Sequence, residues 1–168
     1  MRGPNLVEAP GAMITSRRDY ILRIIDEVGR LVARIVFKRT TGADQEALEL
    51  VVQGFERLFN LQRHQLFQFT PEQQLTMLTL DEPPEIARDK LLLYSALSTE
   101  AGRSYARMGN APMARATFAN ALRFALHARR FASPAPIPDY VTTPEELREL
   151  MGPGPLDPDI EELLREQA

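Results

Sequence analysis

Few side chains in this sequence could do covalent or metal chemistry. There is no cysteine, so no thiolate can act as nucleophile or metal ligand and no disulfide can form. The two histidines, His64 and His127, share no metal-ligand spacing with each other or with nearby carboxylates. His127 follows Arg123 and precedes Arg129 and Arg130, and both rings read as solvated surface groups. Asp157, Asp159, Glu161 and Glu162 crowd together near the C-terminus. A calcium loop would need a glycine at its sixth position and a glutamate at its twelfth, but here Pro158 and a helical pattern intervene. The cluster reads as an acidic helix start. Gly152 and Gly154 flank Pro153, with no strand before them and no lysine after, so they do not form a phosphate loop. No nucleophile elbow and no His–carboxylate constellation is present. The expectation is a protein without catalytic residues, cofactor or metal.

Cations are the remaining chemistry, and all but Lys38 and Lys90 are arginines. That preference fits a GC-rich bacterial genome. Arg103, Arg107, Arg115, Arg123, Arg129 and Arg130 are candidates for a nucleic-acid- or anion-binding face. A pI near 5.5, 7% aromatic residues and no tryptophan argue against nucleic acid. The formal charge of −3 conceals alternating blocks: +4 over 13–40, −5 over 41–83, +5 over 84–131 and −7 over 132–168.

The elements that carry these residues are helical. Apolar residues at Ile21, Ile24, Ile25, Val28, Leu31, Val32, Ile35 and Val36 repeat at 3.6-residue spacing and predict a helix from Ser16 to Thr40. Ser16 and Asp19 have capping-box spacing, and Thr41-Gly42 ends the helix. A second helix is expected over Ala43–Leu61, with Asp44 and Glu46 in its first turn. Thr70-Pro71-Glu72-Gln73 starts a short third helix, and Pro83-Pro84 breaks the chain and starts a fourth that runs to Met108. The fifth begins at Pro112 and reaches Phe131. Then SPAPIP, Ser133 to Pro138, reads as a stiff extended linker. Thr143-Pro144 and Asp157-Pro158 start two short helices that must dock to be stable.

Residues 1–14, rich in Gly, Pro and Ala, are expected to be a disordered leader, or an extension upstream of a start at Met13, and do not form a signal peptide. The helical domain is expected over 15–131, and a Pro-rich linker with an acidic tail over 132–168. No segment has the ~20 apolar residues of a membrane span, and the absence of cysteine suits a reducing, cytoplasmic setting.

Gly102, Tyr105, Gly109, Ala114, Phe118 and Ala121 resemble a tetratricopeptide repeat, matching the family pattern at all six positions. Ala101 stands at the apolar position before the first glycine, and Ser98 replaces the expected large aromatic. Gly42 to Ala47 is a weaker copy, with Ile35, Val51 and Gly54 at the remaining positions. Nothing around 60–85 matches. The chain as a whole also resembles a bacterial family of such proteins that brings no known function. The resemblance implies an all-α fold of antiparallel helical hairpins: two degenerate repeats, an irregular helical insert between them, and short C-terminal helices. A plain helical bundle is the alternative.

The resemblance also implies that the first helix of each repeat lines a peptide-binding wall. Its inward positions here are Ala96, Thr99, Arg103, Ala106 and Arg107, suited to acidic segments, with Gly29, Val32 and Val36 as an apolar continuation. The partner-binding candidates are therefore Thr99, Arg103, Arg107, Val32 and Val36. An apolar wall needs cover, so the tail is expected to dock on the body, in cis or across a homodimer, or else to cap the last repeat. The function expected is protein–protein interaction or scaffolding, with a partner protein or a second copy of the chain.

Overall fold

The computed structural model describes residues 10–168, with side chains from Ser16 onward. The described residues form eight helices and no strand. Helix α1 (Pro10–Thr40) buries Ile21, Ile24, Val28, Val32 and Ile35, a stripe at steps of three and four. It starts upstream of the expected Ser16, so Ser16 lies inside the helix and caps nothing. Of the expected leader, residues 10–14 belong to α1, and residues 1–9 lie outside the described residues. At its C-terminal end the Thr40 and Thr41 hydroxyls donate to the carbonyls of Val36, Phe37 and Lys38. These bonds satisfy acceptors that have no partner within the helix.

Helix α2 (Asp44–Phe59) returns along α1 and ends at Asn60, whose left-handed conformation closes the last turn. A single-turn helix, α3 (Arg63–Leu66), follows where only a polar connection was expected. Helix α4 (Pro71–Thr79) starts as its sequence predicts. The Thr70 hydroxyl accepts from the Gln73 N–H, and the Gln73 side chain accepts from the Thr70 N–H. Helices α5 (Pro84–Arg107) and α6 (Ala111–Ala128) form the second long hairpin, turned at Gly109, with the Asn110 side chain capping α6. Two short helices, α7 (Pro144–Met151) and α8 (Pro158–Glu166), complete the chain.

Packing runs in order. Helix α1 lies on α2 and on α5, α2 lies on α5, α5 pairs with α6, α4 braces α5, and α7 and α8 both cover α6. Two glycines permit the close approaches. A Cβ at Gly54 would lie 2.7 Å from Leu97 Cδ2, and one at Gly102 would lie 2.5 Å from Phe118 Cε1. Helices α2 and α5 meet across the first, α5 and α6 across the second. One apolar cluster joins α1, α2, α4, α5 and part of α6. Its centre is aromatic: Tyr94 stacks on Phe124 with centroids 3.6 Å apart and is flanked by Phe55 and Phe59. A second cluster joins the outer side of α6 to Leu147, Met151, Ile160 and Leu163 of α7 and α8. The C-terminal helices are thus part of the folded body.

Candidate functional site

The five residues expected to line a binding wall do not share one open surface. Val32 is fully buried and Val36 half-buried against the main core. Thr99 is also interior, and its hydroxyl donates back to the Ser95 carbonyl at 2.7 Å. Helix α1 packs directly on α5 and takes Val32 inside, while Thr99 lies on the stripe of α5, with Ser95 and Gly102, that faces α6. Only the two arginines reach the surface. Arg103 is half-buried between Glu100, 4.0 Å away, and the Thr142 hydroxyl, 3.4 Å away. Arg107 is exposed and pairs with Asp44 at the start of α2 at 3.3 Å.

The side of α1 and α5 that does face outward is occupied. Residues 133–142 leave the end of α6, cross α5 and reach α1 before α7 begins, forming a strap. Arg88, in the first turns of α5 and almost wholly buried, holds it. Its Nη1 donates to the Ala135 carbonyl at 2.8 Å and its Nη2 to the Pro136 carbonyl at 3.1 Å. Such a planar fork suits two acceptors side by side. Tyr140 lies over Gly29 of α1, and Tyr140 and Val141 pack against the main cluster. Thr142 is buried beside Arg103.

The strap is therefore seated by side-chain packing over Tyr140–Thr142 and before it by the backbone bonds to Arg88. The side chains of Pro134, Ala135, Pro136 and Ile137 are exposed. Beneath residues 133–137 lies a cavity of about 300 Å³ bounded by Arg88, Leu92, Ala125, Ala128, Phe131 and Ile137, among others. Burial pushes the Tyr140 hydroxyl up to about 12; the nearby Asp89 carboxylate adds to that and Arg88 opposes it. Burial likewise raises the Asp89 carboxyl above the ordinary range, against the pull of Arg88. Nearby, Arg39 of α1 and Glu100 of α5 form a largely buried ion pair with Nε and Oε2 2.5 Å apart, tying the two helices together.

Sequence reading singled out neither Arg88 nor the strap as a site. A signal for Arg88 existed: the charged triplet Arg88-Asp89-Lys90 sits between apolar residues Ile86-Ala87 and Leu91-Leu92-Leu93. The strap's prolines carried another, because a segment with a proline at every second position has few N–H groups of its own to satisfy its carbonyls.

The arginine-rich face is also engaged. Arg123 binds Asp159 and Asp157 of the α8 start at 2.5 and 2.8 Å, and Asn120 at 2.5 Å. Arg129 pairs with Glu145 and Arg130 with Glu166. Arg115 donates to the carbonyls of Met151, Gly152 and Pro155 between α7 and α8. With Arg103 and Arg107, all six candidate arginines have partners within the chain. The acidic block after residue 132 meets the basic block before it.

His64 is exposed on α3. His127 is half-buried rather than solvated; burial lowers its pKa, and neighbouring Arg130 lowers it further. Among the described residues no group of three His, Cys, Asp or Glu side chains has metal-binding geometry, and no helix is long and apolar enough to cross a membrane.

No protein-family model, no curated protein and no solved structure matches the chain.

Proposed function

We propose that this chain is a protein-interaction module built on two tetratricopeptide-like hairpins, α1–α2 and α5–α6, whose outer α1–α5 surface binds an extended peptide segment. In the resting molecule that segment is its own strap. The observation that carries the reading is the seating of residues 133–142 on α5 and α1, through Arg88, Arg103 and the surface at Gly29. The packing order supports the repeat geometry. First and second helices pair within each hairpin, and the second helix of one hairpin lies on the first helix of the next. Gly102 lies against Phe118 of α6, so its missing Cβ admits the close helix approach that the repeat pattern implies. The engagement of all six arginines by the chain itself weighs against the nucleic-acid alternative.

A tethered segment holds its groove at an effective concentration near the millimolar range. A free peptide then competes poorly with the strap, so the groove must be opened to be tested. In the full-length protein, residues 133–142 are replaced by a Gly/Ser stretch of equal length. Helices α7 and α8 keep their own cluster on α6, so both ends of the replaced segment stay anchored. A labelled peptide of residues 132–143 should bind this variant saturably and the intact protein much more weakly. A variant of unchanged helix content and melting behaviour that does not bind the peptide overturns the reading.

A further inference from the structure

We infer that the groove's partner is an extended, proline-containing segment that carries a bulky apolar side chain where the strap has Ile137. The inference rests on the groove reading above and deepens it.

The backbone requirement comes from Arg88. Its guanidinium takes two consecutive carbonyls, those of Ala135 and Pro136, while the side chains of both residues point to solvent. The site therefore reads chain shape at these positions and ignores side-chain identity. Consecutive carbonyls stay free for an outside donor in polyproline-type chain, which has no internal hydrogen bonds. Pro136 and Pro138 hold that shape in the strap and reduce the conformational entropy lost on binding.

The side-chain requirement comes from the cavity. Its apolar wall is formed by Leu92, Ala125, Ala128 and Phe131, and its volume of about 300 Å³ lies at the lower end of the range for binding pockets. Ile137 stands at its edge but remains 59% exposed, so the strap leaves this space largely unused. A void beside apolar walls forgoes both dispersion contacts and burial. A longer or aromatic side chain entering there adds affinity that the strap lacks. A partner needs that gain to displace a tethered competitor.

The test uses the strap-replaced full-length protein and four labelled peptides of residues 132–143: the native sequence, Ile137→Phe, Ile137→Asp, and the double change Pro136→Ala with Pro138→Ala. Filling the cavity with phenylalanine should tighten binding by roughly ten-fold or more. The aspartate and proline-free peptides should bind several-fold more weakly than the native one. Binding of the Ile137→Phe peptide with weakening in the other two supports the inference, even if the native peptide falls below detection. If all four bind alike, the inference is wrong and the groove reading stands. If none binds a correctly folded variant, the groove reading itself fails.

Discussion

Gly102 and Phe118 lie in direct contact across the α5–α6 hairpin, with room for hydrogen and nothing larger at residue 102. An added methyl would overlap the ring edge at 2.5 Å, and the ring sits in a buried cluster with little freedom to retreat. Gly102→Ala should therefore destabilise the fold by about 1–3 kcal/mol, despite alanine's better helix propensity. Pairing it with Phe118→Leu should cost less than the sum of the two single changes, because the smaller side chain relieves the overlap. Chemical denaturation of the four proteins measures this directly.

Arg123 holds the start of α8. Arg123→Met should leave the helical body intact and loosen α8, since it removes the bonds to Asp157, Asp159 and Asn120. The two carboxylates are largely exposed, so water can replace part of what is lost. A cost of about 1–2 kcal/mol is expected. Limited proteolysis should show faster cleavage between Gly152 and Asp157, with fragment masses locating the cut.

Acid should undock α8 before the body unfolds, in two steps. His127 faces Arg130, Arg123, Asp159 and Glu166, and burial lowers its pKa from 6.5. A lowered histidine favours the neutral form in the folded state. Its contribution is full above pH 6.5 and is lost as pH falls through the lowered value. Asp159 is lowered from 3.8 chiefly by its hydrogen bond to Arg123. That contribution is full above pH 3.8 and is lost as pH falls through the depressed value. Protection of the α8 amides, referenced to their intrinsic exchange rates at each pH, should fall first below pH 6.5 and again below pH 3.8. His127→Gln should abolish the upper step alone.

Leu147 of α7 is wholly buried against α6, and Leu147→Ala should cost about 2–5 kcal/mol. Arg88→Met should behave differently. The strap carbonyls it releases are close to water, so melting should change little while strap amides and proteolysis respond. A large loss of stability in that variant would show that the strap is structural cement and not a displaceable ligand.

Helices were legible in the sequence wherever a local device sets them. Thr70-Pro71 and Thr143-Pro144 start helices through their own caps, and Pro84 starts α5 at the residue expected. The single turn at Arg63–Leu66 was not legible, since four residues carry no period. The extension of α1 to Pro10 was hidden by a Gly- and Pro-containing stretch that looked like a leader. The burial of three of the partner-binding candidates was hidden for a different reason. Spacing along one helix shows which residues share a face, but not how far the helix is rolled against its neighbour. That roll takes Val32 inside against α5 and Thr99 inside on the α6 side of α5. The strap's path was even less visible, because its grip comes from Arg88, nearly fifty residues away in the chain.

On the proposed repeat reading, helices α7 and α8 cover the side of α6 on which another hairpin would stack. In a solenoid that side is the growing end. With Ile160 and Leu147 sunk against α6 and arginine pairs locking the seam, the described stack is sealed at this end. Any longer array or filament formed by copies of the chain must assemble through a different surface.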